Sequence, residues 1–302
     1  MPTLLPRGVY PPLPTFFTPH DELDLPTLQQ HVRLLASSGI AGYVLMGSNG
    51  EAVHLSSDER VQVITAVRHT LQQNGHHLPL IAGCGDQSTR STIVHCQRAA
   101  RSGANFALIL PPFYYRSLMD SAALIAHYRA VADHSPLPIL IYNMPANTAN
   151  LDLDAPTISA LAEHPNIIGV KDSAGNIAKL AQIVASVPPT FQVFAGSAGF
   201  FLPALSVGAV GVVAALANVF PHAVCRIQHL FDQDQREEAQ LLQERIIQPN
   251  AAVTSIYGVP GLKAALTLTA GYGGDPRLPL QPLSDQDRAA LSQIFAQAHL
   301  EA

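Results

Sequence analysis

Only three of the chain's seventeen lysine and arginine residues are lysines, and one of them sits where chemistry is plausible. Lys171 closes an apolar run, Ile167 to Val170, that reads as a buried strand. Burial disfavours the charged form of an amine. An unprotonated amine attacks a ketone and forms a Schiff base. A guanidinium stays protonated and cannot do this. That is a chemical reason to keep a lysine here in an arginine-rich chain. The plainer alternative is a lysine reaching solvent from a strand end, paired with Asp172. Lys179 and Lys263 fall on helix candidates and read as surface or packing residues.

Other strand ends add polar groups. Tyr142 closes the preceding apolar run, and a phenol beside an iminium could move protons; a hydroxyl hydrogen-bonded at a barrel mouth is the plain reading. Gly47-Ser48-Asn49-Gly50-Glu51 is a turn whose successive N–H groups suit a carboxylate, or a tight connection that binds nothing. Glu51 reads as a brace for that turn. Tyr114 and Tyr115 follow another run and either reach a site or pack between subunits. Asn147, Ser173 and the Gly196-Ser197-Ala198-Gly199 loop complete the strand-end inventory; the last could hold a phosphate or a polar substrate tail. Thirteen histidines are present, but HExxH is absent, and His76-His77 precedes a strand start. No metal dependence and no cofactor are expected. Gly271-Tyr272-Gly273-Gly274 follows a helix and reads as a turn.

These residues need a scaffold that gathers strand ends. Apolar runs occur at 12–17, 42–47, 79–84, 106–111, 136–142, 167–171, 191–196 and 210–215. Their continuous character suggests parallel strands covered on both faces. Helix candidates lie between them: one opens on a capping box, Ser56 to Glu59, and others span Ser88–Arg101 and Ser121–Ala132. Eight strand–helix pairs predict a (β/α)₈ TIM barrel, with functional groups on the C-terminal face of the strands. An open doubly wound sheet is the alternative, but no GxGxxG follows the first strand. From Pro221 the pattern turns to helices only, one stopping before Pro249, one from about Pro260 to Ala270, and one capped by Ser284. The expectation is a barrel over 1–220 and a helical extension over 221–302.

Bulk properties narrow the function classes. The 302 residues are 48% hydrophobic and 13% charged, with net charge −5. That mild acidity gives no reason to expect nucleic acid. Cys84, Cys96 and Cys225 have no CxxC spacing and read as free thiols in a reducing compartment. The N-terminus lacks the pattern of a signal or transit segment. Leu202–Phe220 is mostly apolar, but glycines and Pro203 interrupt it, so a membrane span is not expected. The expected location is the cytoplasm.

Taken together, GSNGE (47–51), YNMPANT (142–148) and GVKDS (169–173) resemble the dihydrodipicolinate synthase / N-acetylneuraminate lyase family. Those proteins are class I pyruvate aldolases and lyases on a (β/α)₈ barrel with a C-terminal helical extension. The resemblance runs from about Gly8 to the last helix. It implies Lys171 as the Schiff-base lysine and Tyr142 as the proton-relay tyrosine. It implies Ser48 and Asn49, with Gly47, as holders of the pyruvate carboxylate, with Ser48 also in the relay. Tyr114 resembles the tyrosine that reaches a neighbouring subunit's site in a homotetramer. Asn147 stands where dihydrodipicolinate synthases carry an arginine for the aldehyde substrate's carboxylate, which argues against that reaction. SPLPILIYNMPANT, HPNIIGVKDSAG, FQVFAGSAGF, IIQPNAAVT and YGVPGLK are most similar to 4-hydroxy-2-oxoglutarate aldolases. The implied partners are pyruvate and an aldehyde such as glyoxylate, with Ser173, Gly196 and Ser197 on the substrate side. GSNGEAVHL also resembles fungal 2-keto-3-deoxy sugar-acid aldolases, so an aldolase or dehydratase of such acids is an alternative, as is dihydrodipicolinate synthase itself. A non-catalytic oxo-acid-binding protein on the same scaffold is a distant one.

Overall fold

The computed structural model describes residues 4–300. Eight short strands run parallel: β1 (Gly8–Tyr10), β2 (Tyr43–Leu45), β3 (Leu80–Gly83), β4 (Phe106–Ile109), β5 (Ile139–Asn143), β6 (Ile167–Asp172), β7 (Gln192–Ala195) and β8 (Gly211–Val213). From β2 to β8 each strand pairs with the next in sequence, and β8 pairs with β1. The seam between β1 and β2 is closed by the segment after β1. Pro11 O accepts from Val44 N at 3.1 Å and Leu13 N donates to Val44 O at 2.9 Å. The result is a (β/α)₈ barrel.

One expected strand lies elsewhere. The run 12–17 was expected as the first strand, but the ladder uses Gly8–Tyr10. Pro11, Pro12 and Pro14 lack the N–H groups a ladder needs. The Gly-Val-Tyr segment has them. Leu13, between two prolines, supplies the donor that this segment gives to the closing seam.

Helices α1 (Leu25–Ala36), α2 (Ser57–Gln73), α3 (Thr89–Arg101), α4 (Ser121–His134), α5 (Ala155–Ala162), α6 (Ile177–Ser186), α7 (Phe201–Ser206) and α8 (Pro221–Asp232) follow β1 to β8 in turn. Many start on side-chain caps that satisfy the free N–H groups of the first turn: Asp24, Ser88, Asp120 and Asp154 accept in this way. The capping box of α2 is complete, with Ser56 Oγ accepting from Glu59 N and Glu59 Oε2 accepting from Ser56 N. Two separate apolar clusters result. Leu140, Tyr142, Ile168, Phe194 and Val213 fill the barrel interior with Tyr10, Val44, Ile81, Phe106 and Leu108. Alternate strand residues, such as Ile141 and Val170, pack outward against the helices.

Three more helices complete the chain: α9 (Arg236–Ala251), α10 (Gly258–Ala270) and α11 (Asp285–Ala298). The first was expected to stop before Pro249. It runs through that proline to Ala251 and continues into a π-helical turn, Ala252–Ile256. A proline removes one helix hydrogen bond, but Pro249 and Asn250 are buried against the barrel, and tertiary packing overrides the local preference. The later expectations match: α10 ends at Gly271 in a left-handed conformation and α11 is capped by Ser284. No helix among the described residues is long and apolar enough to cross a membrane.

Candidate active site

The barrel's C-terminal rim places Lys171 and Tyr142 side by side. They are register partners on β6 and β5. The Lys171 Nζ lies 3.8 Å from the centroid of the Tyr142 ring, and both side chains are buried. A register shift opposite Ile139 and Leu140 leaves Ile168 as an extra residue on β6. Such a bulge re-aims the residues beyond it. Ile168 and Lys171 therefore both serve the interior although three positions apart, while Val170 packs outward.

The third member comes from the turn after β2. The Ser48 and Tyr142 hydroxyls are 3.3 Å apart. Burial pushes the Tyr142 phenol up, but the Lys171 charge and the Ser48 hydrogen bond outweigh burial and hold it below its usual value. Ser173 adds to this lowering, although its hydroxyl is buried without a hydrogen bond of normal geometry. The Ser173 hydroxyl acts on the phenol by proximity.

The Gly47–Glu51 turn is tightly built. Met46 and Glu51 flank it with φ of 50° and 52°, left-handed values that a non-glycine residue holds only when its surroundings impose them. The Gly50, Glu51 and Ala52 amides bond back to Gly47 and Ser48 carbonyls. The Ser48 and Asn49 amides have no protein acceptor among the described residues, so they remain available to an anion. The surroundings that hold Glu51 come from the far end of the chain. Its carboxylate lies 2.7 Å from Lys263 Nζ on α10 and accepts from the Arg277 amide at 2.9 Å. Lys263 also donates to the Asp275 carbonyl, and Arg277 binds Asp21 and Glu59.

The outward side of the same rim carries a second charged group. Asp172 accepts from Asn143 Nδ2 and pairs with Lys179 Nζ, each at 2.8 Å. Asp152 joins both partners from the loop after β5. Asp172 therefore pairs with Lys179 and not with Lys171, because successive strand residues face opposite ways. Lys179 and Lys263 are buried, so of the two readings open to them, surface or packing, the structure takes packing. Glu51 lies far from Lys263 in the chain, and Asp172, though close to Lys179 in sequence, is on a separate element, so no helical or strand spacing announces either pair.

The remaining candidates fall into two groups. Gly196 lies against Ser173: a Cβ there would meet Ser173 Oγ at 1.9 Å. Ser197 follows on the same loop and accepts from Gly199 N and from Asn250 Nδ2. Asn143 and Asn250 lie inside the stretches YNMPANT and IIQPNAAVT, but the sequence alone assigns neither a role of its own. By contrast, Asn147 is exposed on the turn Pro145–Asn147. Tyr114 is 75% exposed and stacks edge to face on Tyr115. A cavity of about 400 Å³ beside these tyrosines, lined also by Thr89, Met119 and His127, contains none of the Lys171 group. Convergent chemistry, not hollow size, locates the candidate site. Cys84 and Cys96 are buried and Cys225 is partly so, all as free thiols.

The dihydrodipicolinate synthetase family profile matches residues 5–298. The chain belongs to that family. A protein of Emericella nidulans described as "Probable 4-hydroxy-2-oxoglutarate aldolase, mitochondrial" is 45% identical, over 96% of this chain and 94% of its own. The L-threo-3-deoxy-hexylosonate aldolase of Hypocrea jecorina is 38% identical, over 98% of this chain and 97% of its own. The dihydrodipicolinate synthase of Cyanidioschyzon merolae, solved with lysine bound, superposes with a TM-score of 0.92 at 28% identity, covering 98% of this chain and 99% of that one. As a family member with aldolase relatives, the chain is a lyase.

Proposed function

We propose that the protein is a metal-independent class I aldolase that cleaves 4-hydroxy-2-oxoglutarate to pyruvate and glyoxylate. The observation that carries this reading is the contact of Lys171 Nζ with Tyr142, whose hydroxyl meets Ser48. The amine, in its unprotonated form, adds to C2 of the oxo acid, and loss of water leaves an iminium. Tyr142, through Ser48, takes the proton of the C4 hydroxyl. The C3–C4 electron pair flows into the iminium, glyoxylate departs and an enamine remains. Protonation at C3 and attack of water on C2 release pyruvate and the free amine. The Ser48 and Asn49 amides hold the C1 carboxylate through these steps, which fixes C2 against the nitrogen.

Ser173, Gly196 and Ser197 serve the aldehyde end in this proposal, and Asn147 lies at the rim without the cation a synthase would use there. A homotetramer in which Tyr114 enters a neighbour's site is part of the same proposal, supported by the exposure of Tyr114, Tyr115 and Leu118. So is the division into a barrel over 1–220 and an extension over 221–302, with α8 packing on β1, α7 and α9 and so serving both. Cytoplasmic location is proposed too; the mitochondrial name of the Emericella relative makes cell fractionation the deciding test.

A second reading is favoured by the Hypocrea relative: cleavage of a 3-deoxy-2-oxo sugar acid by the same imine route. Incubating the enzyme with each acid and identifying products by mass separates the two. Pyruvate with glyoxylate supports the first, and pyruvate with a longer hydroxyaldehyde supports the second. Turnover of neither would overturn both.

A further inference from the structure

The turn after β2 leaves two backbone amides free and fastens its other polar groups elsewhere. Ser48 and Asn49, whose amides have no protein acceptor among the described residues, are half-buried, while Gly47, Gly50 and Glu51 are buried. The Ser48 hydroxyl lies 3.3 Å from that of Tyr142, so this part of the turn belongs with the Lys171 group. The fastenings come from three other parts of the chain. Thr15 donates to Gly50 O at 2.7 Å, and Arg60, on α2, donates to Ala52 O at 2.6 Å. The third fastening is the Glu51 side chain, which reaches the C-terminal extension.

Glu51 holds a left-handed φ of 52°, a conformation that persists in a non-glycine residue only where its surroundings impose it. Its buried carboxylate meets three groups. Lys263 Nζ is 2.7 Å from Oε1; Arg277 N, at 2.9 Å, and His54 Nδ1, at 3.1 Å, meet Oε2. Oε1 makes no hydrogen bond of normal geometry, so the Lys263 contact is an ion pair. Lys263 is fully buried as well. A buried charge is costly unless paired, so each of the two fixes the other. The Arg277 side chain in turn fixes the segment that supplies its amide, by binding Asp21, His54 O and Glu59. Such an ion pair adds little stability over an apolar pair of the same volume. What it does set is the conformation of Glu51.

We infer that Glu51 is a positioning residue for the substrate carboxylate, held in place by Lys263 and Arg277 of the C-terminal extension. Being buried, it touches no substrate itself. It sets the backbone of the turn, and through it the Ser48 and Asn49 amides that receive the C1 carboxylate. The extension thus completes an anion site that lies on the barrel. This role rests on the aldolase reading above and adds the residues that hold its carboxylate anchor.

Half-saturation of imine trapping by pyruvate under borohydride reads the anchor, because pyruvate is the half of the substrate that the anchor holds. Wild type, Glu51→Ala, Glu51→Gln, Arg277→Met and Lys179→Met are compared. Lys179→Met breaks another buried ion pair, on the outer face of the rim, and so reports what lost stability alone does. In Glu51→Ala the half-saturation should rise about tenfold or more, since charge-assisted hydrogen bonds that lose alignment forfeit at least that factor. Trapping at saturating pyruvate should still reach Lys171. Glu51→Gln keeps an acceptor oxygen for Arg277 N and should recover part of the loss. Burial already lowers the Lys263 amine, so without Glu51 that side chain can stay buried unprotonated. Arg277→Met leaves no fully buried charge unpaired, since Asp21 and Glu59 reach solvent. It should show a smaller rise, about threefold, and it decides the matter if the Glu51 variants do not fold. Lys179→Met should stay within about twofold of wild type. Unchanged half-saturation in the Glu51 and Arg277 variants would overturn the inference. So would an equal rise in Lys179→Met, which marks a general structural role. A wild type that traps no pyruvate would remove the aldolase reading and this inference with it. A trapping wild type with indifferent variants would remove the inference alone.

Discussion

The two faces of one barrel rim use the same residue type for opposite purposes. On the inner face, Tyr142 and Lys171 stand next to each other with a hydroxyl within reach. On the outer face, one position further along the same strands, Asn143 and Asp172 meet Lys179 and Asp152. The inner lysine has an aromatic ring and a hydroxyl network for company and no carboxylate partner among the described ion pairs. The outer lysine is enclosed by two carboxylates. A single step along a strand thus separates the lysine proposed to react from a lysine that braces. The third lysine, Lys263, braces as well, through Glu51, and so supports the turn that carries Ser48. In this arginine-rich chain every lysine converges on the rim.

The sharpest way to break this contrast is to exchange each lysine for methionine, which keeps length and removes the amine. Lys171→Met should lower turnover by about four orders of magnitude or more, as loss of a covalent nucleophile does. Its thermal unfolding should stay near that of the wild type. Tyr142→Phe, measured in the same assay, should lower kcat about 10²–10⁴-fold, the usual range for a proton-transfer group, while still forming an imine with pyruvate. Equal loss of imine and turnover in Tyr142→Phe would mean that the phenol positions the amine instead of moving protons.

Lys179→Met should behave in the opposite sense. Asp172 would be left buried without its cation, a change that costs about 3–5 kcal/mol. Urea denaturation should show that loss. Adding Asp172→Asn should restore part of it, because the uncompensated charge is gone. The folded Lys179→Met protein should still trap pyruvate on Lys171. If it unfolds no earlier than wild type, the bracing role assigned to the outer face is wrong.

A separate effect concerns the layer beyond both faces. Burial lowers His31 and His127 from 6.5 to about 4 each, opposed for His31 by a hydrogen bond to Asn218. Between those values the unfolded chain binds these protons and the native chain does not. Stability therefore falls as pH drops through that window, by about 1.4 kcal/mol per histidine for each pH unit. Urea midpoints between pH 7 and pH 4.5 should show the slope, and His127→Gln should flatten it. An unchanged slope in that variant would show that His127 titrates normally.

Much of this plan was legible in the sequence, and the exceptions share a cause. Seven of the eight strands fall on the predicted runs, with β5 and β6 each extending one residue further, because parallel strands buried on both faces are apolar without interruption. The reactive candidates were legible because Lys171, Tyr142 and the GSNGE turn each close such a run. The first strand was misplaced because apolar character alone ignored the missing N–H groups of Pro11, Pro12 and Pro14. Pro249 was read as a stop because local preference is visible and tertiary packing is not. Lys179, Lys263, Asn143 and Asn250 were missed or misread because their roles depend on partners brought near only by the fold: Asp152, Glu51, Asp172 and Ser197.

The central claim is that the inner lysine, and neither of the others, is the reacting amine. Borohydride reduction in the presence of pyruvate, followed by intact mass and peptide mapping, reads this directly. The account predicts one reduced pyruvate adduct per chain, on Lys171, absent from the Lys171→Met protein. No adduct on the folded protein, or an adduct on Lys179 or Lys263, would contradict it.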